Sequence, residues 1–312
     1  PHMESLNRMA IELVDEAIDF AELLDVGAYE LENEATVLDF GVDFDGGIEA
    51  GTLLTEIQTA GMATVQTRMD EVAGAPLRYV DLVTDHPDLA LLCSQKAGWE
   101  VGVEDFEGLG SGPARALVGT EDVFRKIGYH DAFDLTVLTI ESDALPGEAV
   151  AEHVADMTET NPSSVFMVGF RTASLAGSVS IAARAAELAV FRLSELGYDP
   201  RDVISASGTA PVAPVAGSEE AAMARTSDAL AYGGQVHLTV REEFDRFDEI
   251  PSSAAETYGQ PFEQVFDDVD WDFYEVDESV FAPAQVTVDV VGGSTAVYGE
   301  TDEEILADSF GL

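Results

Sequence analysis

The chain is poor in positive charge and in cysteine, and each shortage closes off a class of function. Lysine and arginine together number 14 against 61 aspartates and glutamates, a formal net charge of −47 over 312 residues. Such a surface repels phosphate backbones and anionic bilayers, which excludes sequence-independent nucleic-acid binding and attachment to a membrane surface. Lysine is reduced to Lys96 and Lys126. The single cysteine, Cys93, cannot form an intrachain disulfide, and no Cys/His spacing matches a zinc site. A reducing cytoplasm is therefore the expected compartment, and no metal is expected. The longest apolar region, residues 175–193, contains Arg184, Glu187 and Arg192, which makes it a poor membrane span. No N-terminal stretch has the basic-then-apolar order of a signal peptide, and Pro1-His2 ahead of Met3 reads as a cloning remnant.

What the chain does have is a core. Hydrophobic residues make up 46% of it, far above a disordered acidic tail, and the acids are spread along the whole length. Even spreading describes an acidic skin over a packed body. Adaptation to a salt-rich cytoplasm explains it, since charges are screened over only about 3 Å at 1 M salt.

Residues 5–24 place apolar side chains at three- and four-residue intervals, as on one face of a helix. Strand-like runs follow at 33–44, 79–83, 99–103, 135–140, 165–170, 203–205, 235–240 and 286–291, and helical stretches fall at 88–97, 147–157, 178–196 and 302–310. This alternation predicts a mixed α/β (α+β) fold with strands layered against helices, in two lobes. The polar stretch 120–134 is the weakest connection. It places a lobe boundary at 125/126, giving an N-terminal lobe 3–125 and a C-terminal lobe 126–312, either of which can be discontinuous.

Several segments can carry chemistry. Gly108-Leu109-Gly110-Ser111-Gly112-Pro113-Ala114-Arg115 reads as a glycine loop entering a helix. It is either an anion cradle completed by Arg115 or a tight turn packed on a strand. It lacks the signatures of a P-loop and of a dinucleotide fingerprint. Residues 179–191 are apolar around most of a helix, yet carry Arg184 and Glu187 three residues apart, about 4.5 Å along the axis. Such a pair is either a poised base with its electrostatic partner or an internal salt bridge. Ser94-Gln95-Lys96-Ala97-Gly98-Trp99 presents a surviving lysine or simply a capped helix end. The stiff run 205–214, which includes Thr209, suits a loop beside a ligand or a packed crossover. Glu141 is an acid at a strand end. The histidines 86, 130, 153 and 237 show no metal or triad spacing, and Ser94, Ser111 and Ser207 lack a nucleophile-elbow setting.

Taken together, Ser94-Gln95-Lys96-Ala97-Gly98-Trp99, Gly110-Ser111-Gly112-Pro113-Ala114-Arg115-Ala116-Leu117, Thr172-Ala173-Ser174-Leu175-Ala176-Gly177-Ser178, Gly208-Thr209-Ala210-Pro211-Val212-Ala213-Pro214 and the closing Ser309-Phe310-Gly311 resemble the methenyltetrahydromethanopterin cyclohydrolases, in family order. The resemblance implies a homotrimeric cytoplasmic enzyme of one-carbon metabolism. It would have two-lobed α/β subunits with a pocket between lobes, and would hydrolyse the methenyl bridge of a tetrahydropterin substrate to the formyl derivative without metal or cofactor. It assigns catalysis to Glu187 and Arg184. Substrate binding would then fall to Lys96, Glu141, Arg115, Ser111, Thr172, Ser174, Ser178 and Thr209. Phe40 stands where the family pattern leads one to expect cysteine, and Phe170-Arg171 where smaller residues precede the threonine. With the acidity of a salt-loving archaeon, these departures leave the carrier open between methanopterin and folate types.

The chemistry suits the residues: a methenyl bridge is an amidinium-like cation that needs a placed water and a base. A non-catalytic pterin-binding protein and a hydrolase of another cyclic amidine are the alternatives. Intact Arg184 and Glu187 speak against the first, because a binder needs no base.

Overall fold

The computed structural model describes residues 4–312; Pro1-His2, read as a cloning remnant, and residue 3, where the first lobe was expected to begin, lie outside the described residues. Among the described residues the strands, in chain order, are β1 (Gly27–Glu30), β2 (Thr36–Asp39), β3 (Thr64–Val72), β4 (Ala75–Thr84), β5 (Trp99–Val103), β6 (Phe106–Ser111), β7 (Thr136–Glu141), β8 (Val165–Phe170), β9 (Val203–Pro211), β10 (Gln235–Val240), β11 (Gln285–Val290) and β12 (Thr295–Gly299). They form two six-stranded sheets, one in each of two compact units.

Among the described residues the first unit comprises 4–63 and 89–180, and its sheet runs β1-β2-β8-β7-β6-β5. β2, β8 and β7 are mutually parallel, and the outer pairs are antiparallel. The two central strands, Thr-Val-Leu-Thr-Ile-Glu and Val-Phe-Met-Val-Gly-Phe, are buried almost throughout, as parallel strands covered on both faces must be. The helix Glu148–Thr158 makes the crossover from β7 to β8 and buries Val150, Ala151 and Val154 against Leu138, Ile140 and Met167. The helices Leu6–Asp19 and Ile48–Gln58 also lie against β7. The first begins where Ser5 accepts the Arg8 N–H, and its buried Leu6, Ala10, Val14 and Ala17 form the expected stripe.

The second unit comprises residues 64–88 and 181–312, with sheet order β12-β11-β10-β9-β4-β3. Here only β10 and β11 are parallel. Val236, Leu238 and Val240 alternate with Gln235, His237 and Thr239, so one face packs and the other is open. The helix Ala185–Glu195 lies on β9 and β10, while Glu219–Gly233 packs on β9 and on Glu303–Phe310. A two-residue turn, Ala73-Gly74, joins β3 to β4 with both residues at positive φ, the type I′ geometry that matches strand twist.

Three expectations change. The boundary at 125/126 falls inside the first unit, because β7 and β8 continue the sheet that β5 and β6 began, and the β3–β4 hairpin joins the second unit by pairing with β9. The single helix at 178–196 is two helices, Leu175–Ala182 and Ala185–Glu195, with Arg184 as the N-cap of the second. The glycine loop is mostly β6. A Cβ at Gly108 would sit 2.5 Å from the Ile140 side chain, so that glycine permits close packing rather than mobility.

Candidate active site

In the second unit the key element is the start of the helix Ala185–Glu195. A Cβ on Gly208 of β9 would stand 2.8 Å from the Ala186 backbone nitrogen, so the bare glycine lets the first turn rest directly on the strand. The Arg184 carbonyl accepts the Leu188 N–H, which starts the helical ladder. Glu187 lies in the first turn and is 3% exposed. Arg184 Nη1 is 3.7 Å from Glu187 Oε2, longer than the about 2.7–2.9 Å of a charge-assisted hydrogen bond. The guanidinium and the positive end of the helix both set positive potential on this buried carboxylate. The i,i+3 spacing read from the sequence thus becomes a real, enclosed ion pair.

Thr209 is not part of that arrangement. Alternation along β9 turns it to the face opposite Gly208, where its Oγ1 accepts from Arg68 Nη2 at 3.1 Å. Arg68 also binds Asp70 and Asp81 and lies over the Tyr79 ring. With Ser207, Gln235, His237 and Thr287, Thr209 lines a shallow concavity of about 460 Å³ on the open face of the sheet.

In the first unit the carboxyl ends of the parallel strands meet, the usual place for ligands on such a sheet. Glu141 ends β7, and its Oε2 accepts from Thr172 Oγ1 at 3.1 Å. Ser174 donates to the Arg171 carbonyl and accepts the Gly177 N–H, so it caps the helix Leu175–Ala182. Ser178 follows in that helix, 2% exposed, its N–H on the Ser174 carbonyl. Sequence reasoning missed Asp39 at the end of β2. Its fully buried carboxylate accepts the N–H groups of Gly41, Val42, Asp43 and Phe44 and so fixes the next loop, while Arg171 N–H binds the Gly41 carbonyl. The signal was an aspartate directly before a glycine-rich, strand-ending run. Phe40 and Phe170, the departures from the family pattern, are at most 2% exposed.

Lys96 follows an eight-residue π-helix, Asp88–Gln95, a rare wide coil that tends to occur at functional sites. Its Nζ lies 2.9 Å from Glu121 Oε1. Ser111, expected at the ligand, donates its hydroxyl to the Gln95 carbonyl and is 2% exposed. Arg115 corrects the anion-cradle reading. It is 1% exposed, grips Glu121 through Nε and Nη2, and donates to the Leu92 and Ser94 carbonyls. Its helix, Ala114–Val118, spans five residues. Burial pushes the Glu121 carboxyl up, but the hydrogen bonds and charges of Arg115 and Lys96 outweigh this and hold it below the usual carboxylate range.

Among the described residues no group of three or more His, Cys, Asp and Glu could hold a metal ion, and no helix is long and apolar enough to cross a membrane. The fold is mixed α/β, with a buried arginine–carboxylate pair on one unit and a carboxylate–hydroxyl cluster at the strand ends of the other. The chain belongs to the cyclohydrolase (MCH) family, whose model matches residues 5–310, and it is a hydrolase of C–N bonds in cyclic amidines. It is 61% identical over 310 residues to the methenyltetrahydromethanopterin cyclohydrolase of Halobacterium salinarum strain R1, covering 99% of this chain and 100% of the relative. The relative of that name from Methanocorpusculum labreanum is 39% identical over 314 residues, 99% and 100% covered. That from Methanococcoides burtonii is 36% identical over 317 residues, 99% of each chain being covered. The acidic composition fits a relative from Halobacterium.

Proposed function

We propose that the chain hydrolyses the N5,N10-methenyl bridge of methenyltetrahydromethanopterin to the N5-formyl derivative. The observation that supports this most is the enclosed Arg184–Glu187 pair, 3.7 Å apart at a helix N-terminus. The methenyl carbon shares a positive charge with N5 and N10 and is electrophilic without further activation. As the water oxygen bonds to that carbon, Glu187 accepts one water proton and Arg184 keeps the carboxylate oriented. The neutral hydroxyl adduct then collapses: the C–N10 bond breaks, N10 takes a proton, and the hydroxyl loses its own to leave a formyl group on N5. One proton is released overall. Lys96 and Glu141 are assigned to substrate binding, Glu141 with its orientation set by Thr172. Ser111 and Ser174 serve the backbone around them. No cofactor enters this scheme. A homotrimer in a reducing cytoplasm belongs to the same reading, supported by the family resemblance and the single buried Cys93; light scattering tests the trimer.

The methanopterin carrier is favoured by the names of the relatives, all methenyltetrahydromethanopterin cyclohydrolases. The test presents methenyltetrahydromethanopterin and methenyltetrahydrofolate separately in molar salt and follows loss of the methenyl absorbance above the spontaneous rate. Hydrolysis of the first alone is expected. Hydrolysis of the folate alone would reverse the carrier assignment, and saturable binding without loss of absorbance would make the chain a binder.

A further inference from the structure

We infer that Glu121 is a positioning residue that sets the Lys96 ammonium, with Arg115 as its anchor. The inference rests on the reading of Lys96 as a substrate-binding group. Arg115 is fixed first. A guanidinium buried in a core requires matched acceptors, and this one donates to the Leu92 and Ser94 carbonyls, both on the π-helix that ends just before Lys96. The remaining side of its planar fork holds both oxygens of Glu121, at 2.8 Å each, which fixes the carboxylate plane. Glu121 Oε1 then faces Lys96 Nζ at 2.9 Å.

The backbone makes room for this contact. The Glu121 carboxylate occupies the place a Cβ would take on Gly98, with Oε1 only 2.0 Å from that ideal position. Any larger residue at 98 would evict it. Lys96 is one of two lysines in a chain of net charge −47, and its flexible stem would sample many rotamers unless held. Two cations share one carboxylate here, and of the two the lysine is the partly exposed one: 16% of the Lys96 side chain is accessible against 0% for Arg115. Arg115 thus works behind Glu121, and Glu121 works through Lys96.

The test compares the full chain in molar salt with Glu121→Gln, Lys96→Ala and the double variant, measuring kcat and KM for methenyl hydrolysis. Glu121→Gln is expected to raise KM about tenfold with kcat largely kept, as contacting residues commonly couple by that order. The double variant is expected to show no higher KM than Lys96→Ala alone. An equal Glu121→Gln effect in both backgrounds, or none in either, would overturn the inference. A second readout is independent of turnover. After reductive ¹³C-methylation the two lysines give two NMR signals, and Glu121→Gln is expected to shift and narrow that of Lys96 while leaving that of Lys126 in place. An unchanged Lys96 signal would overturn the inference. Should Glu121→Gln fail to fold, Glu121→Asp, which keeps the charge but shortens the reach, carries the same comparison. Absence of turnover in the unmodified chain would defeat the hydrolytic reading alone, since the NMR comparison still decides the positioning.

Discussion

Arg184 and Glu187 face each other across the first turn of the helix Ala185–Glu195, with 12% and 4% of their side chains accessible. The guanidinium and the helix end both supply positive potential to a carboxylate so enclosed, which favours its ionised form. Glu187→Gln is expected to lower kcat by about 100-fold or more with KM largely kept, the scale of lost general-base catalysis. Arg184→Lys is expected to lower kcat as well, because an ammonium cannot reproduce the planar fork. Steady-state kinetics in molar salt check both, and turnover like that of the unmodified chain in Glu187→Gln would remove it from the role of base.

The same turn depends on a residue that never touches the pair. Gly208→Ala would place a methyl 2.8 Å from the Ala186 nitrogen, and neither backbone can yield without shifting the other. Overpacking of this kind costs about 1–3 kcal/mol. Lower thermal stability together with a reduced kcat is the expected outcome, measured by circular dichroism and absorbance kinetics. A stable, fully active variant would show that the turn tolerates displacement.

Legibility followed the range of the interactions. Strands β5, β8 and β10 agree with the sequence expectation end to end because their patterns are local: alternation of apolar with polar or small residues in β5 and β10, and a short apolar run bounded by polar residues in β8. The Arg184–Glu187 pairing was readable from i,i+3 geometry. The pairing of β4 with β9 was not, since partners such as Asp81 and Thr209 meet only in the folded sheet. Arg115 was misread for a related reason. Its spacing to Gly110 and Gly112 suggested a loop, whereas its acceptors on Leu92, Ser94 and Glu121 come together only when β6 and the π-helix pack. The side of β9 that Thr209 takes was also unreadable, since only the packing of the helix Ala185–Glu195 on Gly208 fixes which face of the strand is open.

The acidic composition predicts a dependence on salt. With a net charge of −47, self-repulsion is screened over about 3 Å at 1 M salt but over about 10 Å at 0.1 M. The melting temperature is expected to fall steadily as sodium chloride is diluted below the molar range and to recover when salt is restored. A melting curve that is the same in dilute buffer would refute salt adaptation as the reason for the composition.

Asp228 predicts a dependence on pH that runs against the usual carboxylate trend. It is 1% exposed on the helix Glu219–Gly233, where its oxygens accept from the Phe262 N–H and the Ser309 hydroxyl. Burial raises its pKa to about 7, outweighing the downward pull of those two hydrogen bonds. Between the ordinary aspartate value of about 3.9 and that raised value, the folded state binds more protons than the unfolded one. Its contribution to stability is therefore fully present below the lower value and is lost as pH rises through the upper one, by at most about 1.4 kcal/mol per pH unit. Asp228→Asn keeps the shape and an acceptor for Phe262 but does not titrate. The stability of the variant relative to the unmodified chain is expected to rise from pH 4 to about 7 and then level off, measured by urea unfolding at constant molar salt. Parallel pH profiles for the two proteins would show that Asp228 stays ionised in the fold, and that the Ser309 and Phe262 donors outweigh its burial.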